Sequence, residues 1–507
     1  MVKGKKKTAF LLAILMVALF IGVSGCKENS EMTGSSSGSD KGPVTWMSML
    51  HYENPPSDEV VDALSEIVGA DIEFLWVPDG SKEEKINTAL ASKELADIVS
   101  LTLVTTNSAV RGALIDGVFW DIEPYLKDYP NLAKITSDRL DAARVNGKLY
   151  GVPMQKPYAR YGLLIRQDWL DNLGLPVPKT FEDIMETAKA FTEGDPDGNG
   201  IDDTVGLVER AESFTLSFRN IASYYGAPNY FEIDENGKVT SSFKHDGFYK
   251  AAESMRYLYE NGYMNSDWLS MPKNDQKEFI VRSRGGMSFM VMFEAKNYQV
   301  AAEETGQAGT MKWTIVNDIT TEGVPRRALS DTSNGFGGLL AIPKTEVSEE
   351  RLPHVLSVLD KLNSEEAFEI MTYGIEGVHY ELTPEKTYKV LDDSKLKQEV
   401  LPLNASRPNE MWTYLLPTAD ELDRKAYELI LDNEPYAVFN ECQSLESPTY
   451  TSQWNSLLII VQDAYSKYVI GDITMEEFKA EVDRWLAEGG QAILDEYEAD
   501  NARVNSQ

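Results

Sequence analysis

Three short apolar runs stand near the start of the chain: VTWMSML (Val44–Leu50), DIEFLWV (Asp71–Val77) and ADIVSL (Ala96–Leu101). Each has the length and composition of a buried strand. Between them, Ser57–Val68 and Lys82–Ser92 carry apolar residues at helical spacing, and the first of these segments begins with a residue type that caps helices. A strand–helix–strand–helix–strand order predicts a parallel sheet with helices on its faces, which is an α/β fold.

The same alternation recurs further along the chain. Predicted strands lie at Tyr161–Arg166, Met287–Phe293, Trp313–Val316 and Gly338–Ile342. Predicted helices lie at Thr180–Phe191, Ser348–Asn363, Glu365–Tyr373, Gln453–Val469 and Thr474–Ala487, and a hairpin spans Phe231–Phe243. Two α/β lobes that exchange chain leave a crevice between them. Because ligands of open α/β sheets lie beyond the carboxyl ends of the strands, we expect a ligand cleft there.

Composition excludes several classes of function. The chain has 507 residues, and its 48 Lys+Arg against 81 Asp+Glu give a formal net charge of −33. A surface this acidic repels nucleic acid backbones and anionic lipid headgroups, so we expect no nucleic-acid partner. Only 2 Cys and 4 His are present, which leaves little for a disulfide scaffold or a zinc site. The length fits about three domains or two large lobes.

The first residues resemble an export signal. A lysine-rich start is followed by the apolar run Ala9–Val23, and the small residues Val23-Ser24-Gly25 precede Cys26. This pattern predicts a signal peptide over residues 1–25 and resembles the lipobox of bacterial lipoproteins, in which Cys26 is lipidated. A plain signal peptide with a chance cysteine is the alternative. Residues 26–42, rich in Ser and Gly, are predicted to be a flexible tether between a membrane and the folded body.

An acidic loop, DPDGNGIDD, occupies Asp195–Asp203. It matches the first nine positions of an EF-hand loop, with oxygen ligands at positions 1, 3, 5 and 9, glycine at 6 and a backbone carbonyl at 7. The predicted structural Ca²⁺ ligands are Asp195, Asp197, Asn199, the Ile201 carbonyl and Asp203. Gly206 stands at position 12, where an EF-hand has a bidentate Glu. A solvated acidic turn without metal is the alternative reading.

The motifs of common enzymes are missing from the sequence. We find no G-x-S-x-G, H-E-x-x-H or phosphate-binding loop signature, so we expect a protein that is not an enzyme. The chain contains 9 Trp, 24 Tyr and 18 Phe, several of them in predicted loops. Aromatic rings against sugar faces, with charged groups on the hydroxyls, are typical of a carbohydrate cleft. Ordinary core packing is the alternative for any single ring.

Several blocks of sequence together resemble the family 1 extracellular solute-binding proteins. These are GVP (Gly151–Pro153), LIRQDWLDNLGL (Leu164–Leu175), WDIEPYL (Trp120–Leu126), GDITMEEF (Gly471–Phe478) and the acidic loop. Within that family the chain is similar to large Gram-positive lipoproteins, and its loop is similar to the calcium loop of their alginate-binding relatives.

The resemblance implies a two-lobed, periplasmic-binding-protein-like (type II) fold, each lobe a mixed sheet flanked by helices, with the ligand between the lobes. The implied segments are lobe 1 (43–157), lobe 2 (158–319), a return to lobe 1 (320–400) and a mainly helical part (401–507) that closes lobe 2 and the hinge. The implied activity is capture of an oligosaccharide for a membrane ABC permease, by a lipid-anchored monomer on the outer face of a Gram-positive cell membrane.

Loop position, side-chain chemistry and nearness to the implied crossings lead us to predict five ligand contacts: Tyr158, Arg160, Trp268, Glu376 and Tyr380. A body this acidic is an unusual receptor for an acidic sugar unless the cleft is basic. Candidate sources of positive charge are Arg160, Arg166, Arg282, Arg284, Arg326 and Arg327. The alternatives for function are an anchored polysaccharide hydrolase or lyase, and a peptide or signal receptor on the same fold.

Overall fold

The computed structural model describes residues 41–307 and 309–506. The predicted signal peptide, Cys26 and most of the predicted tether lie outside the described residues. In the part of the chain that the structure describes, no helix has the length and apolar character needed to cross a membrane.

The strands are β1 Val44–Leu50, β2 Ile72–Pro78, β3 Ile98–Leu101, β4 Gly151–Gln155, β5 Tyr161–Arg166, β6 Val205–Leu207, β7 Phe231–Ile233, β8 Val239–Ser241, β9 Gly285–Val291, β10 Trp313–Val316, β11 Ala328–Leu329, β12 Phe336–Ala341, β13 Tyr380–Leu382, β14 Tyr388–Val390 and β15 Ala437–Val438. The helices are α1 Asp58–Val68, α2 Lys82–Ser92, α3 Ser108–Ile115, α4 Ser137–Ala143, α5 Gln167–Leu173, α6 Phe181–Glu193, α7 Ser217–Tyr224, α8 Asp246–Glu260, α9 Lys273–Val281, α10 Ala295–Glu304, α11 Leu352–Leu362, α12 Glu365–Tyr373, α13 Asp393–Glu399, α14 Trp412–Leu415, α15 Glu421–Asn433, α16 Pro448–Val469, α17 Met475–Trp485 and α18 Gln491–Asn505.

Two mixed sheets form two lobes. Lobe 1 surrounds a five-stranded sheet in the order β2-β1-β3-β12-β4, in which β1, β2 and β3 are parallel and β12 is antiparallel to its neighbours. Lobe 2 surrounds a four-stranded sheet in the order β10-β5-β9-β6, in which only β6 and β9 are parallel. The predicted α/β class and two-lobed architecture are therefore confirmed.

Local signals in the sequence set the ends of the helices. Ser57 accepts a hydrogen bond from the Val60 backbone N–H at the start of α1, as predicted. Thr180 opens α6 with a reciprocal pair of cap hydrogen bonds to Asp183. Helix α16 begins five residues before the predicted start at 453, because Ser447 caps it and a proline follows at the first helical position.

The chain crosses between the lobes at positions that differ in part from those implied. It leaves the sheet of lobe 1 after β4 and enters that of lobe 2 at β5, between residues 155 and 161. It returns only between β11 and β12, later than the predicted residue 320. Thr320 still bridges Thr180, and Thr321 donates to the Tyr224 carbonyl at 2.7 Å, so this segment remains part of lobe 2.

A second correction concerns residues 401–406, which the predicted segments assigned to the closure of lobe 2. Leu403 is part of the core of lobe 1, and Ser406 shares a hydrogen bond of 2.6 Å with Ser48 of β1. Helices α16, α17 and α18 do pack in the aromatic core of lobe 2, through residues that include Trp454, Tyr465 and Trp485. The boundary between lobe 1 and the C-terminal part therefore lies after residue 406.

Candidate functional site

An ion pair joins two of the segments that cross between the lobes. Arg160, just before β5, donates from Nε and Nη2 to Oδ2 of Asp331 at 2.9 and 2.7 Å, and its backbone N–H donates to Oδ1 at 2.8 Å. Asp331 lies on the returning segment, and its side chain is 9% exposed against 22% for Arg160. Because several hydrogen bonds satisfy both charges, this pair holds the two crossing segments together.

The end of α15 packs against the same two segments. Asn433, at the end of α15, donates to the Ala159 carbonyl at 3.1 Å, and Glu434 accepts from the Tyr158 backbone N–H at 2.7 Å. The Tyr158 side chain is 7% exposed, its hydroxyl donates to Asp138, and a guanidinium from α4 lies 4.3 Å above its ring. Tyr158 therefore lies at the first crossing between the lobes, and its side chain contacts Asp138 and Arg139 of α4; the ligand contact stays a prediction.

A second polar group lies where lobe 1 meets α14 and α15. Arg407 Nη1 donates to Thr372 Oγ1 at 3.0 Å, and its Nε donates to the Asn404 carbonyl at 3.4 Å. Its guanidinium lies 5.2 Å from the ring of Phe368 in α12. The next residues fix its position, since the Gln155 backbone N–H of β4 donates to the Pro408 carbonyl at 2.7 Å. Arg407 makes no ion pair with any carboxylate of the described residues.

Three phenols lie close enough to act electrostatically on this arginine: Tyr373 of α12, Tyr414 of α14 and Tyr427 of α15. The rings of Tyr414 and Tyr427 meet nearly at right angles, with centroids 5.3 Å apart. Burial raises the pKa of Tyr373 to about 12 and that of the other two still higher, while the charge of Arg407 acts to lower each. All three phenols are therefore protonated at neutral pH. We call Arg407 and these tyrosines the Arg407 site.

The Arg407 site adjoins the crossing segments. Tyr414 packs against Met292, which directly follows β9 and so lies at the carboxyl end of a strand in the lobe 2 sheet. The charges of Arg160 and Asp331 also act on the Tyr414 phenol. Residues of both lobes therefore lie around the Arg407 site, near the carboxyl end of β9, and we call this region the polar surface. Ligands of α/β sheets bind at positions of this kind.

Of the predicted ligand contacts, Tyr380 lies next to Tyr373 of the Arg407 site, with ring centroids 5.9 Å apart. Its hydroxyl donates to Glu369 at 2.9 Å, and the same carboxylate oxygen accepts from Tyr388 at 2.9 Å. Tyr388 stacks on Tyr373 with centroids 4.3 Å apart and planes within 12°. The hydrogen bonds to Glu369 fix the Tyr388 ring, and the stacked Tyr388 ring in turn orients Tyr373. Glu376 is exposed in the turn that precedes β13.

The structure places Trp268 elsewhere. Its side chain is 1% exposed in the core of lobe 2, and its ring lies 6.0 Å from that of Tyr465. This burial leaves no surface for a ligand, so the predicted contact is corrected to a core position. The loop prediction failed here because a ring that follows a helix can fold back into the core as readily as it can face a cleft.

The arginines proposed to make the cleft basic are mostly neutralised. Arg160, Arg166, Arg282 and Arg326 form ion pairs with Asp331, Asp168, Glu278 and Asp432. Arg407 was not among the candidates, and its sequence neighbours carry no signal that distinguishes it. Only the long-range packing of α12, α14 and α15 shows that this guanidinium has no carboxylate partner.

The acidic loop folds back on itself. Asp195 accepts from the backbone N–H groups of Asn199 and Gly200 at 3.1 and 3.0 Å, and the Asn199 amide donates to Asp197 at 3.0 Å and to Asp203 at 3.4 Å. Burial, together with the neighbouring carboxylates of Asp195 and Asp203, raises the pKa of Asp197. Across the described residues, however, no three His, Cys, Asp or Glu side chains are already arranged to hold a metal ion.

The departure at position 12 has a steric cause. Gly206 lies in β6 directly against α6, where an added Cβ would come within 2.2 Å of the Ala188 Cα. The Gly206 backbone N–H also donates to Thr192 at 3.0 Å, which holds the strand on the helix. A glutamate at this position could not be accommodated, so a twelfth-position carboxylate is excluded by packing.

Comparison with known sequences gives consistent matches. The model of a bacterial extracellular solute-binding protein family matches residues 59–351. Polygalacturonan/rhamnogalacturonan-binding protein YtcQ of Bacillus subtilis (strain 168) is 36% identical over 498 residues, covering 97% of this chain and 98% of that protein. Lipoprotein LipO of the same strain is 32% identical over 507 residues and covers 97% of each chain.

Solved structures show the same fold at lower identity. An extracellular solute-binding protein from Bifidobacterium longum subsp. infantis aligns with a TM-score of 0.67 at 18% identity, covering 93% of this chain and 99% of its own. The S. pneumoniae substrate-binding protein FusA in complex with kestose aligns with a TM-score of 0.64 at 16% sequence identity. The alignment covers 92% of this chain and 99% of the FusA chain. Alginate-binding protein AlgQ2, solved without calcium ion, aligns with a TM-score of 0.63 at 17% sequence identity. The alignment covers 92% of this chain and 99% of the AlgQ2 chain.

Proposed function

The chain belongs to the bacterial extracellular solute-binding protein family, and from this premise we propose that it captures an oligosaccharide between its lobes and delivers it to an ABC permease. The single observation that carries the proposal is the similarity to YtcQ, which extends over nearly the whole of both chains. The polar surface between the lobes supports it, because protonated phenols and a guanidinium suit the hydroxyls and ring faces of sugars.

Closure of the lobes is the proposed mode of capture. The two crossing segments meet at the Arg160–Asp331 pair, and Asn433 at the end of α15 contacts the first of them, so rotation about this point would bring the carboxyl ends of both sheets together. A sugar in the cleft makes contacts with both lobes only in the closed form, and therefore shifts the population toward it. The permease would then recognise the closed form and receive the unaltered sugar.

The location and assembly follow from the same relatives. Family membership and the similarity to lipoprotein LipO support an extracellular protein that is anchored to a membrane. Lipidated Cys26 would supply the anchor, and the Ser- and Gly-rich tether would hold the body away from the acidic membrane surface. The protein would act as a monomer on a Gram-positive cell.

We also propose that the acidic loop binds a structural Ca²⁺. Three carboxylates and an asparagine point into one turn, and their mutual repulsion is relieved by a cation. The Ile201 carbonyl would add a further oxygen, and water would take the place of the carboxylate that Gly206 excludes. The ion would hold the end of α6 and the start of β6 in register, at a distance from the chemistry of the cleft.

Isothermal titration of the purified protein against oligosaccharides of several linkages tests the capture function. We expect saturable binding of at least one oligosaccharide, with the same sugar recovered intact afterwards by chromatography. Recovery of shortened products would support the alternative of an anchored polysaccharide hydrolase or lyase. Binding of peptides without binding of any sugar would overturn the proposal in favour of a peptide receptor.

A further inference from the structure

We propose that the Arg407 site binds the carboxylate of an acidic sugar, so that the captured ligand is an oligosaccharide containing uronate residues. The inference rests on the proposed function and makes it more specific, since it names the chemical class of sugar and the residue that selects it. Its basis is a guanidinium left without a counter-ion where the two lobes meet.

The hydrogen bonds of Arg407 leave donors free. A guanidinium has five N–H donors in a rigid fork. Arg407 directs Nη1 to Thr372 and Nε to the Asn404 carbonyl, while its Nη2 has no hydrogen-bond acceptor among the described residues. The free edge of the fork matches the two oxygens of a carboxylate, which arginine binds with geometric specificity.

The charge of Arg407 is also uncompensated. Burial lowers the pKa of its guanidinium, and the acid that most opposes this effect, Glu410, lies 3.6 Å from the ammonium of Lys156. In contrast, Arg160 forms an ion pair with Asp331 at the same junction. An unpaired, partly buried cation is costly unless an anion binds it. A bound anion would therefore supply the complementary charge at the Arg407 site.

The surrounding phenols fit a sugar carrying that charge. The hydroxyls of Tyr373, Tyr414 and Tyr427 make no hydrogen bonds with other described residues, and their raised pKa values keep them as donors. Phenol donors complement carboxylate and hydroxyl oxygens. A neutral sugar would use the rings and hydroxyls but would leave the guanidinium uncompensated.

The test compares two ligands of equal length on four proteins. The ligands are a trigalacturonate and an uncharged galactotriose, and their dissociation constants are measured by titration calorimetry. The proteins are the full chain, Arg407→Gln, Arg407→Lys and a matched control, Arg424→Gln. Arg424 lies exposed on α15 and makes no ion pair with any described residue, so its substitution changes the net charge equally without altering the site.

We expect the full chain and R424Q to prefer the trigalacturonate. Loss of charged hydrogen bonds in R407Q should weaken trigalacturonate binding by about 10- to 100-fold. R407K should recover part of this loss, because lysine restores the charge without the fork. The melting temperature of R407Q should not fall, since the substitution removes an uncompensated charge. A correctly folded R407Q therefore remains testable.

Four results would overturn the inference. Equal affinity of the full chain for both trisaccharides, or unchanged trigalacturonate affinity in R407Q, would exclude Arg407 as the selector while leaving oligosaccharide capture intact. If acetate bound the Arg407 site as tightly as the trigalacturonate does, the site would bind any carboxylate and would not select an acidic sugar. Failure of the full chain to bind any oligosaccharide would instead refute the proposed function, and this inference with it.

Discussion

The acidic loop and the Arg407 site are built in opposite ways. The loop consists of nine consecutive residues, Asp195–Asp203, whose side chains bond mainly to one another's backbone groups. The Arg407 site takes its parts from α12, the segment before Pro408, α14 and α15. One is a local cluster of negative charge, and the other is a positive charge isolated by long-range packing.

This difference determines whether each site can be recognised from the sequence alone. Spacing along the chain determines which oxygens of the loop can converge, so a motif reveals it. The meeting of Arg407 with three phenols depends on how α12, α14 and α15 pack against one another. The two sites share one property, because each leaves a charge that the protein does not neutralise. Each therefore indicates a ligand of opposite sign.

The largest expected effect concerns the strand that bounds the loop. Gly206→Ala should lower the free energy of unfolding by about 3 kcal/mol, because the new methyl group collides with the backbone of α6. Chemical denaturation measures this change. Gly112→Ala is the matched control, since its Cβ would meet no atom within 4 Å inside α3. Equal stability of both variants would show that packing does not explain the missing twelfth ligand.

A smaller loss is expected at the junction beside the Arg407 site. Asp331→Asn should lower the free energy of unfolding by about 2 kcal/mol, because it leaves the Arg160 guanidinium without its counter-ion, an effect reduced by solvent at the partly exposed arginine. Asp202→Asn, on the exposed loop, provides the comparison and should change stability by less than about 0.5 kcal/mol. A similar loss in both variants would contradict the structural role of the crossing pair.

Calcium should distinguish the loop from the cleft. With a dissociation constant of about 10⁻⁴–10⁻³ M, a tenfold excess of Ca²⁺ should raise the free energy of unfolding by about 1.4 kcal/mol. Thermal melting in Ca²⁺ and in chelator measures this effect. Asp197→Asn combined with Asp203→Asn should abolish it, whereas R407Q should retain it. Stabilisation by Ca²⁺ that persists in the double variant would place the ion elsewhere.

The pH dependence of the metal-free protein follows from the same charges. The pKa of Asp197 is raised in the folded state above its ordinary value of 3.8. The folded protein therefore holds this proton more tightly than the unfolded chain does. Its contribution to stability is fully present below pH 3.8 and is lost as the pH rises through the folded pKa. Melting in chelator should show this loss in the wild type, and D197N should lack it.

The smallest expected effect is at one phenol of the Arg407 site. Tyr427→Phe should weaken binding of the acidic trisaccharide by about 2- to 5-fold, because one neutral hydrogen bond is lost. Titration calorimetry measures the change, and the melting temperature should stay constant. Tyr257→Phe is the control, since this tyrosine is 42% exposed on α8. Unchanged affinity in Y427F would show that its hydroxyl does not contact the ligand.

Much of the fold could be predicted because its signals are local. The runs that became β1, β2 and β3 are apolar over the length of a strand, and the caps at Ser57 and Thr180 act within one helical turn. The return crossing was placed about ten residues early because Thr320 and Thr321 carry no sign that they still pair with lobe 2. Crossings are set by contacts between distant segments, which periodicity does not record.

The candidate site was predictable only in part. Tyr158 and Arg160 lie at the first crossing and remain predicted ligand contacts, whereas Tyr380 bonds to Glu369 next to the site and Trp268 is a core residue. Residue type alone does not separate a ring that stacks on a sugar from one that fills a core, since both are driven by burial of the same apolar surface.

The sequence by itself determined the α/β class, most element positions, the charge of the body and the composition of the acidic loop, because these depend on neighbours within a few residues. Only the tertiary structure decided which charges are neutralised. Arg160 and Arg407 are the same residue type beside the same junction, yet one meets Asp331 and the other meets three phenols. Electrostatic pairing acts through space, so it follows from packing rather than from order along the chain.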